Sequence, residues 1–252
     1  MATEAELLAE IESLKAQLET AQSGQWKLVR SVCHELRLPL SSIKGYNDLM
    51  LIMGGLSDQQ KDFVTRIKKN VGRMSGMITN LHELAYMGEG HFTLKPAAFN
   101  PAEGIDKACN DLQALAAERG NTLTVTLPGV LPQILTDRER FEQVVRILAE
   151  NAVMYTPSGG HVTITVQVVN DGHDEWVQVT VTDTGIGVTE AERNGLFTLF
   201  FRGDVPLVRE QAGAGMNLYM LRCFMDTMRG TYGVEFPAEG GARFWVRLPA
   251  AH

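Results

Sequence analysis

Apolar residues recur along the first part of the chain at alternating spacings of four and three. Leu7, Ile11, Leu14, Leu18, Ala21, Gln25, Leu28 and Val32 form a seam that Gln25 alone interrupts. A seam kept over about four heptads predicts a coiled coil. The alternative, a helix packed on its own domain, leaves the surrounding Glu, Lys and Gln with little apolar surface to bury. A seam along one side needs a partner, and a parallel second copy of the chain is the simplest one. The helical spacing runs to about residue 53 with Pro39 inside it, and a proline, lacking a backbone donor, predicts a kink just after His34. Gly54 and Gly55 end this helix. Ser57 and Gln60 have the spacing of a capping box, which opens a second helix. Phe63, Ile67, Val71, Met74, Ile78, Leu81 and Leu84 give it an apolar face to about Met87. Two helices joined by a short turn form a hairpin, and two hairpins form a four-helix bundle.

Beyond a glycine-containing hinge the pattern turns to mixed helix and strand. Asn100 with Pro101 and Glu103 is an N-cap, a first-turn proline and an acidic first turn, opening a helix to about Arg119. Leu123 to Leu127 alternates as a strand does. Thr136 and Glu139 suggest another capping box, with a helix through Met154. His161 to Val169 and Trp176 to Thr182 are rich in Val and Thr and predict strands, with Asn170-Asp171-Gly172 turning between them. Gly213 to Arg229 reads as a helix capped by Gly230, and Thr231 to Phe236 and Ala242 to Leu248 complete the sheet. The fold class expected is α+β: a coiled coil (1–26), a helical hairpin (27–88), a hinge (89–97) and an α/β sandwich with helices on one sheet face (98–252).

Composition changes this picture little. Hydrophobic residues make up 44% of 252 and charged residues 21%, which is ordinary for a soluble domain. A net charge of −7 argues against a general nucleic-acid binder. No apolar run approaches the roughly 20 residues of a membrane helix, and the N-terminus lacks the features of a signal peptide. Any membrane tie would therefore come through an upstream segment. Cys33, Cys109 and Cys223 fit neither a zinc site nor a disulfide framework, so a reducing, cytoplasmic compartment is expected.

Four short constellations carry chemistry. His34-Glu35 lies on a helix just before the expected kink. An exposed imidazole is a nucleophile when unprotonated, and an adjacent carboxylate can fix its tautomer and take its proton. Asn151, in Glu150-Asn151-Ala152-Val153-Met154-Tyr155-Thr156-Pro157, offers the neutral oxygen that suits magnesium bridging phosphates. Asp183-Thr184-Gly185-Ile186-Gly187 combines a carboxylate able to read an exocyclic amine with glycines that admit a flat ring. Gly213-Ala214-Gly215-Met216-Asn217-Leu218 opens a helix with free amides for an anion. The Phe-rich stretch from Leu196 to Gly203, followed by a polar segment with Arg209, reads as a lid. Each constellation alone has a bland reading as a solvated pair, a helix end or a turn.

Their order resembles that of the sensor histidine kinases, from about Lys27 to Pro249. The resemblance implies a dimeric phosphotransfer bundle followed by a Bergerat-type ATP-binding domain. It places His34 as the phospho-acceptor and Glu35 as its acid–base neighbour. Asn151 becomes the magnesium ligand and Asp183 the reader of adenine, with Tyr155, Gly185, Gly187, Arg202, Gly213, Gly215 and Leu218 at the nucleotide. The implied cofactors are ATP and Mg2+. The implied partners are a second copy of the chain and the receiver domain of a response regulator.

Four positions depart from the family pattern. Leu38 stands where a polar residue positions water for dephosphorylating the partner, so weak phosphatase activity is expected. Met154 replaces a phosphate-holding Lys, a role left to Arg202 or Arg209. Ile147 replaces a second Asn, and Asn217 a third glycine. These changes keep two other readings open. One is a degenerate kinase serving as a dimeric scaffold. The other is a hydrolytic relative such as the heat-shock and mismatch-repair ATPases, whose water-activating Glu would stand at Ile147.

Overall fold

A computed structural model of the chain describes residues 4–172, 174–203 and 213–251. It divides into two compact units, one ending at Phe92 and the other beginning at Thr93.

The first unit is a helical hairpin. Helix α1, Glu4–Met53, passes through Pro39 without interruption. Gly54 and Gly55 turn the chain in the left-handed region, at φ 71° and 73°, which costs glycine nothing. Helix α2, Asp58–Gly88, opens on the expected capping box. The Gln60 N–H donates to Ser57 Oγ at 3.3 Å, and the Ser57 N–H donates to Gln60 Oε1 at 2.8 Å. The helices meet through Cys33, Leu40, Val71 and Ile78, flanked by Val29 and Leu81. Ile11, Leu14, Leu28 and Val32 of the heptad seam stay exposed, as do Phe63, Ile67 and Met74 of α2. At the base of the hairpin the buried Glu89 carboxylate lies 3.0 Å from Arg30 Nε and 3.3 Å from His91 Nε2.

The second unit has helices on one face of a sheet. Strands β2 (Thr122–Thr126), β4 (His161–Asn170), β5 (Glu175–Asp183), β7 (Ala242–Pro249) and β6 (Thr231–Glu235) lie side by side in that order. The β2–β4 pair is parallel and the other pairs are antiparallel. Alternation along the strands sends Val162, Ile164, Val177, Val179, Val181, Val246 and Leu248 into the core. Helices α3 (Pro101–Glu118), α4 (Arg138–Tyr155) and α5 (Asn217–Thr227) cover them with Ile105, Leu112, Phe141, Val144, Leu148, Leu221 and Phe224.

Several local expectations need correction. Residues 96 and 97, expected in the hinge, belong to strand β1 (Pro96–Phe99), which pairs antiparallel with β3 (Ile134–Asp137). Both strands are four residues long, too short for a clear alternation. The cap of α4 is Asp137, whose Oδ1 accepts the Arg140 N–H at 3.2 Å. Thr136 instead pairs with Ala97 across the two-stranded sheet. Helix α5 begins at Asn217, not Gly213, because Gly215 turns the chain at φ 68°. At its other end Arg229, not Gly230, takes the left-handed conformation, at φ 57°. Arg229 and Gly230 donate to the Asp226 and Met225 carbonyls, a Schellman closure. Gly230 is needed for space, since a Cβ there would lie 2.7 Å from the Arg247 carbonyl oxygen.

Candidate active site

Both sets of predicted residues are described, and each set lies in its own unit. In the hairpin, His34 and Glu35 are exposed on α1, while Cys33 beside them is buried against α2. Burial raises the Cys33 thiol above its ordinary range, which weighs against a reactive thiolate there. His82 of α2 was not singled out in the sequence. It stands within electrostatic reach of His34, Arg37 and Arg30, and burial followed by these charges lowers its pKa.

In the second unit a cavity of about 300 Å³ opens between α4, the loop after β5, the Phe-rich segment and the start of α5. Helix geometry sets its first wall. Val153 points into the core, and Asn151, Met154 and Tyr155, spaced by three and four, share the other side of the helix and line the cavity together with the buried Ala152. Glu150 lines it too, and burial raises its carboxyl above the ordinary range, with Arg146 opposing.

Asp183 ends β5 at the floor, with 6% of its surface exposed. Its Oδ1 accepts the Gly185 N–H at 2.8 Å and the Ala242 N–H at 3.3 Å. Its Oδ2 takes neither bond. Burial raises the carboxyl, and the two amide bonds oppose that rise. Gly185 does not itself line the cavity. A Cβ on it would sit 2.6 Å from both Asp183 Oδ1 and the Tyr155 carbonyl oxygen, so glycine allows this junction to close. Gly187 lines the cavity at φ 67°.

The far wall comes from Gly213, Gly215, Leu218 and the segment ending at Arg202 and Gly203. Gly215 accepts the Phe200 N–H at 3.0 Å, and a Cβ on it would lie 2.3 Å from the Phe201 carbonyl oxygen. Arg202 is the sole cation among the described lining residues, against the carboxylates of Glu150, Asp183 and Glu192. It lies close enough to Tyr155 to oppose the burial-driven rise of that phenol's pKa. Arg209 falls outside the described residues.

The apolar wall is Ile186, Leu196, Phe201, Met216 and Phe244. Sequence reading had the first four inside its motifs and lid, without assigning them an apolar role, and missed Phe244, which reads as one more apolar residue of strand β7. It also missed Gly241, at φ 75°, where a Cβ would lie 1.9 Å from the Asp183 carbonyl oxygen. The Gly240-Gly241 pair before a strand was the available sign. The cavity thus offers an apolar slot, a buried acceptor at its floor, and amides with one cation at its mouth. Such a slot fits a flat heterocycle bearing an amine, with an anionic tail.

Comparison with known proteins agrees with this arrangement. Residues 26–90 match the His Kinase A (phospho-acceptor) domain. Residues 136–252 match the histidine kinase-, DNA gyrase B- and HSP90-like ATPase family. The histidine protein kinase DivJ of Caulobacter vibrioides is 27% identical over 95% of this chain and 40% of its own length. The signal transduction histidine-protein kinase BaeS of Escherichia coli is 26% identical over 96% of this chain and 50% of its own length. The chain therefore spans half or less of these relatives. Full-length ShkA, solved in complex with AMPPNP, superposes with a TM-score of 0.75 over 90% of this chain and 46% of its own, at 26% identity. With a phospho-acceptor hairpin followed by a kinase-type ATPase domain, this chain belongs to the sensor histidine kinases of two-component signalling.

Proposed function

We propose that the chain phosphorylates His34 from ATP and passes the phosphoryl group to an aspartate of a response-regulator receiver domain. The observation that carries this reading is Asp183, buried at the floor of an apolar slot with Oδ2 free of both amide bonds. An adenine ring fills the slot and its exocyclic amine donates to that oxygen. The phosphates then lie toward Arg202 and the amides of Gly213 to Leu218. The fit to magnesium follows from the donors present. Among the described residues no cluster of three acidic, His or Cys side chains stands together. The Asn151 side-chain oxygen would hold a magnesium ion here, as suits an ion that dehydrates reluctantly and needs few protein ligands. The ion supplies charge neutralisation of the phosphates.

The His34 nitrogen attacks the γ-phosphorus as the bond to the β-phosphate oxygen breaks, and ADP leaves. Glu35 takes the proton from the other ring nitrogen. Positioning and charge carry most of the barrier reduction. The phosphoryl group has to pass from the cavity to His34, which gives the 89–95 segment the role of a hinge. The exposed seam of Ile11, Leu14, Leu28 and Val32 supports a homodimer. ATP supply and reduced cysteines support action in the cytoplasm.

A second reading, the dimeric scaffold, draws on Met154, which leaves Arg202 as the sole described cation. The hydrolytic reading loses support, because Ile147 is apolar and 5% exposed and activates no water. Chain labelled from [γ-32P]ATP and mixed with receiver domains separates these outcomes. The label is expected to move to a receiver aspartate and, given Leu38, to stay there when ADP is added. Rapid phosphate release contradicts weak phosphatase activity. Receiver binding without any label supports the scaffold.

A further inference from the structure

The last four carbonyls of a helix have no donor within it, and water or a left-handed cap usually takes them. Helix α4 ends differently. Its C-cap, Thr156, is extended at φ −94° and ψ 123°, and each orphan carbonyl meets a protein donor. Thr156 Oγ1 donates to the Ala152 carbonyl at 2.7 Å. Asn121 Nδ2 donates to the Val153 carbonyl at 3.2 Å and to that of Thr156 at 3.1 Å. Arg119 Nη1 donates to the Met154 carbonyl at 3.4 Å. The Ile186 N–H donates to the Tyr155 carbonyl at 3.3 Å.

Asn121 is the buried member of this set, with 7% of its surface exposed. Its Oδ1 is buried and meets no donor among the described residues, so the amide serves through its two donor bonds. Its backbone is held on both sides. The Asn121 N–H closes α3 on the Ala116 carbonyl at 2.8 Å, Gly120 accepts from Gly159, and Thr122 donates to Gly160.

We infer that Asn121 is a positioning residue for the nucleotide site. It is not among the residues that line the cavity and acts through the end of α4, which carries Tyr155 and, one turn earlier, Asn151. The same helix end abuts the loop after Asp183, where the Tyr155 carbonyl and Gly185 leave no room for a Cβ. Loosening it shifts the two walls that hold the ring and the phosphates. This inference rests on the nucleotide-binding reading above.

The test compares Asn121→Ala and Asn121→Asp with Val177→Ala. Val177 is a buried residue at the other end of β5 from Asp183, so its truncation destabilises without touching the helix end. Binding of a non-hydrolysable ATP analogue with magnesium, thermal melting, and amide exchange without nucleotide are measured for each. Both Asn121 variants are expected to bind about tenfold more weakly, in line with the sensitivity of reacting geometry to small displacements. They raise KM for ATP and leave kcat at saturation nearly unchanged. Exchange is expected to quicken at residues 152–156, and Val177→Ala is expected to lower the melting temperature without changing affinity. Should Asn121→Asp fail to fold, Asn121→Ala and the exchange data decide. Unchanged affinity in the Asn121 variants, or an equal loss in Val177→Ala, overturns the inference alone. Absence of binding by the wild-type chain overturns the nucleotide reading and this inference with it.

Discussion

Asp183 shows how one residue joins stability to function in this fold. Burial raises its carboxyl above the ordinary range despite two amide bonds. A carboxyl raised on folding stabilises the fold below its unfolded pKa, and that contribution is lost as pH rises through the folded pKa. At neutral pH the ionised side chain therefore costs stability, while an adenine amine requires it as an acceptor. Asp183→Asn is accordingly expected to keep or raise the melting temperature while weakening nucleotide binding at least tenfold. Wild-type affinity is expected to fall on acidification beginning above pH 4, near where an ordinary Asp titrates at about 3.9. Calorimetry across pH checks both. A stable Asp183→Asn protein with unaltered affinity would remove Asp183 from the site. Burial raises all three cysteine thiols, that of Cys109 to about 11, which disfavours the thiolate form.

Among elements, legibility followed the range of the signal. The capping box at Ser57 and Gln60 and the N-cap at Asn100 are local, and the structure holds both. Their side chains need only their own helix. The start of α4 was less legible because two adjacent residues, Thr136 and Asp137, both suit a cap and both belong to β3, where they pair with Ala97 and Pro96. Asp137, the last residue of β3, stands at the strand–helix boundary and so takes the cap, and it also accepts the Lys95 N–H through Oδ2 at 2.9 Å. Strand β1 itself was illegible, because four residues paired across a long separation carry no periodicity. The heptad seam was legible as a pattern, and the single chain leaves it exposed. Asp137→Ala is expected to cost about 2 kcal/mol, above the typical ~1 kcal/mol for an N-cap, because it releases two amides. Thr136→Val is expected to be neutral or stabilising, since the Thr136 hydroxyl is buried without a partner among the described residues. Denaturant unfolding distinguishes them, and a larger loss for Thr136→Val would return the cap to Thr136.

At the scale of the molecule, the chemistry is split between two units that fold on separate principles. The hairpin presents His34 from a helix whose other stripe stays apolar and exposed. The sandwich builds its cavity from loops at one end of a sheet, where strand ends and helix ends leave polar groups facing a common space. The cavity's loops were readable only as ordered motifs, and the apolar wall those motifs carry was not readable as a wall, because its members come from separate loops and from Phe244 of β7. The central claim is that a phosphoryl group bound in the second unit ends on the histidine of the first. Incubation with [γ-32P]ATP and magnesium, followed by acid and alkali treatment, measures this directly. Wild-type chain is expected to carry acid-labile, alkali-stable label, and a folded His34→Gln chain none. Label that persists in His34→Gln would contradict the account.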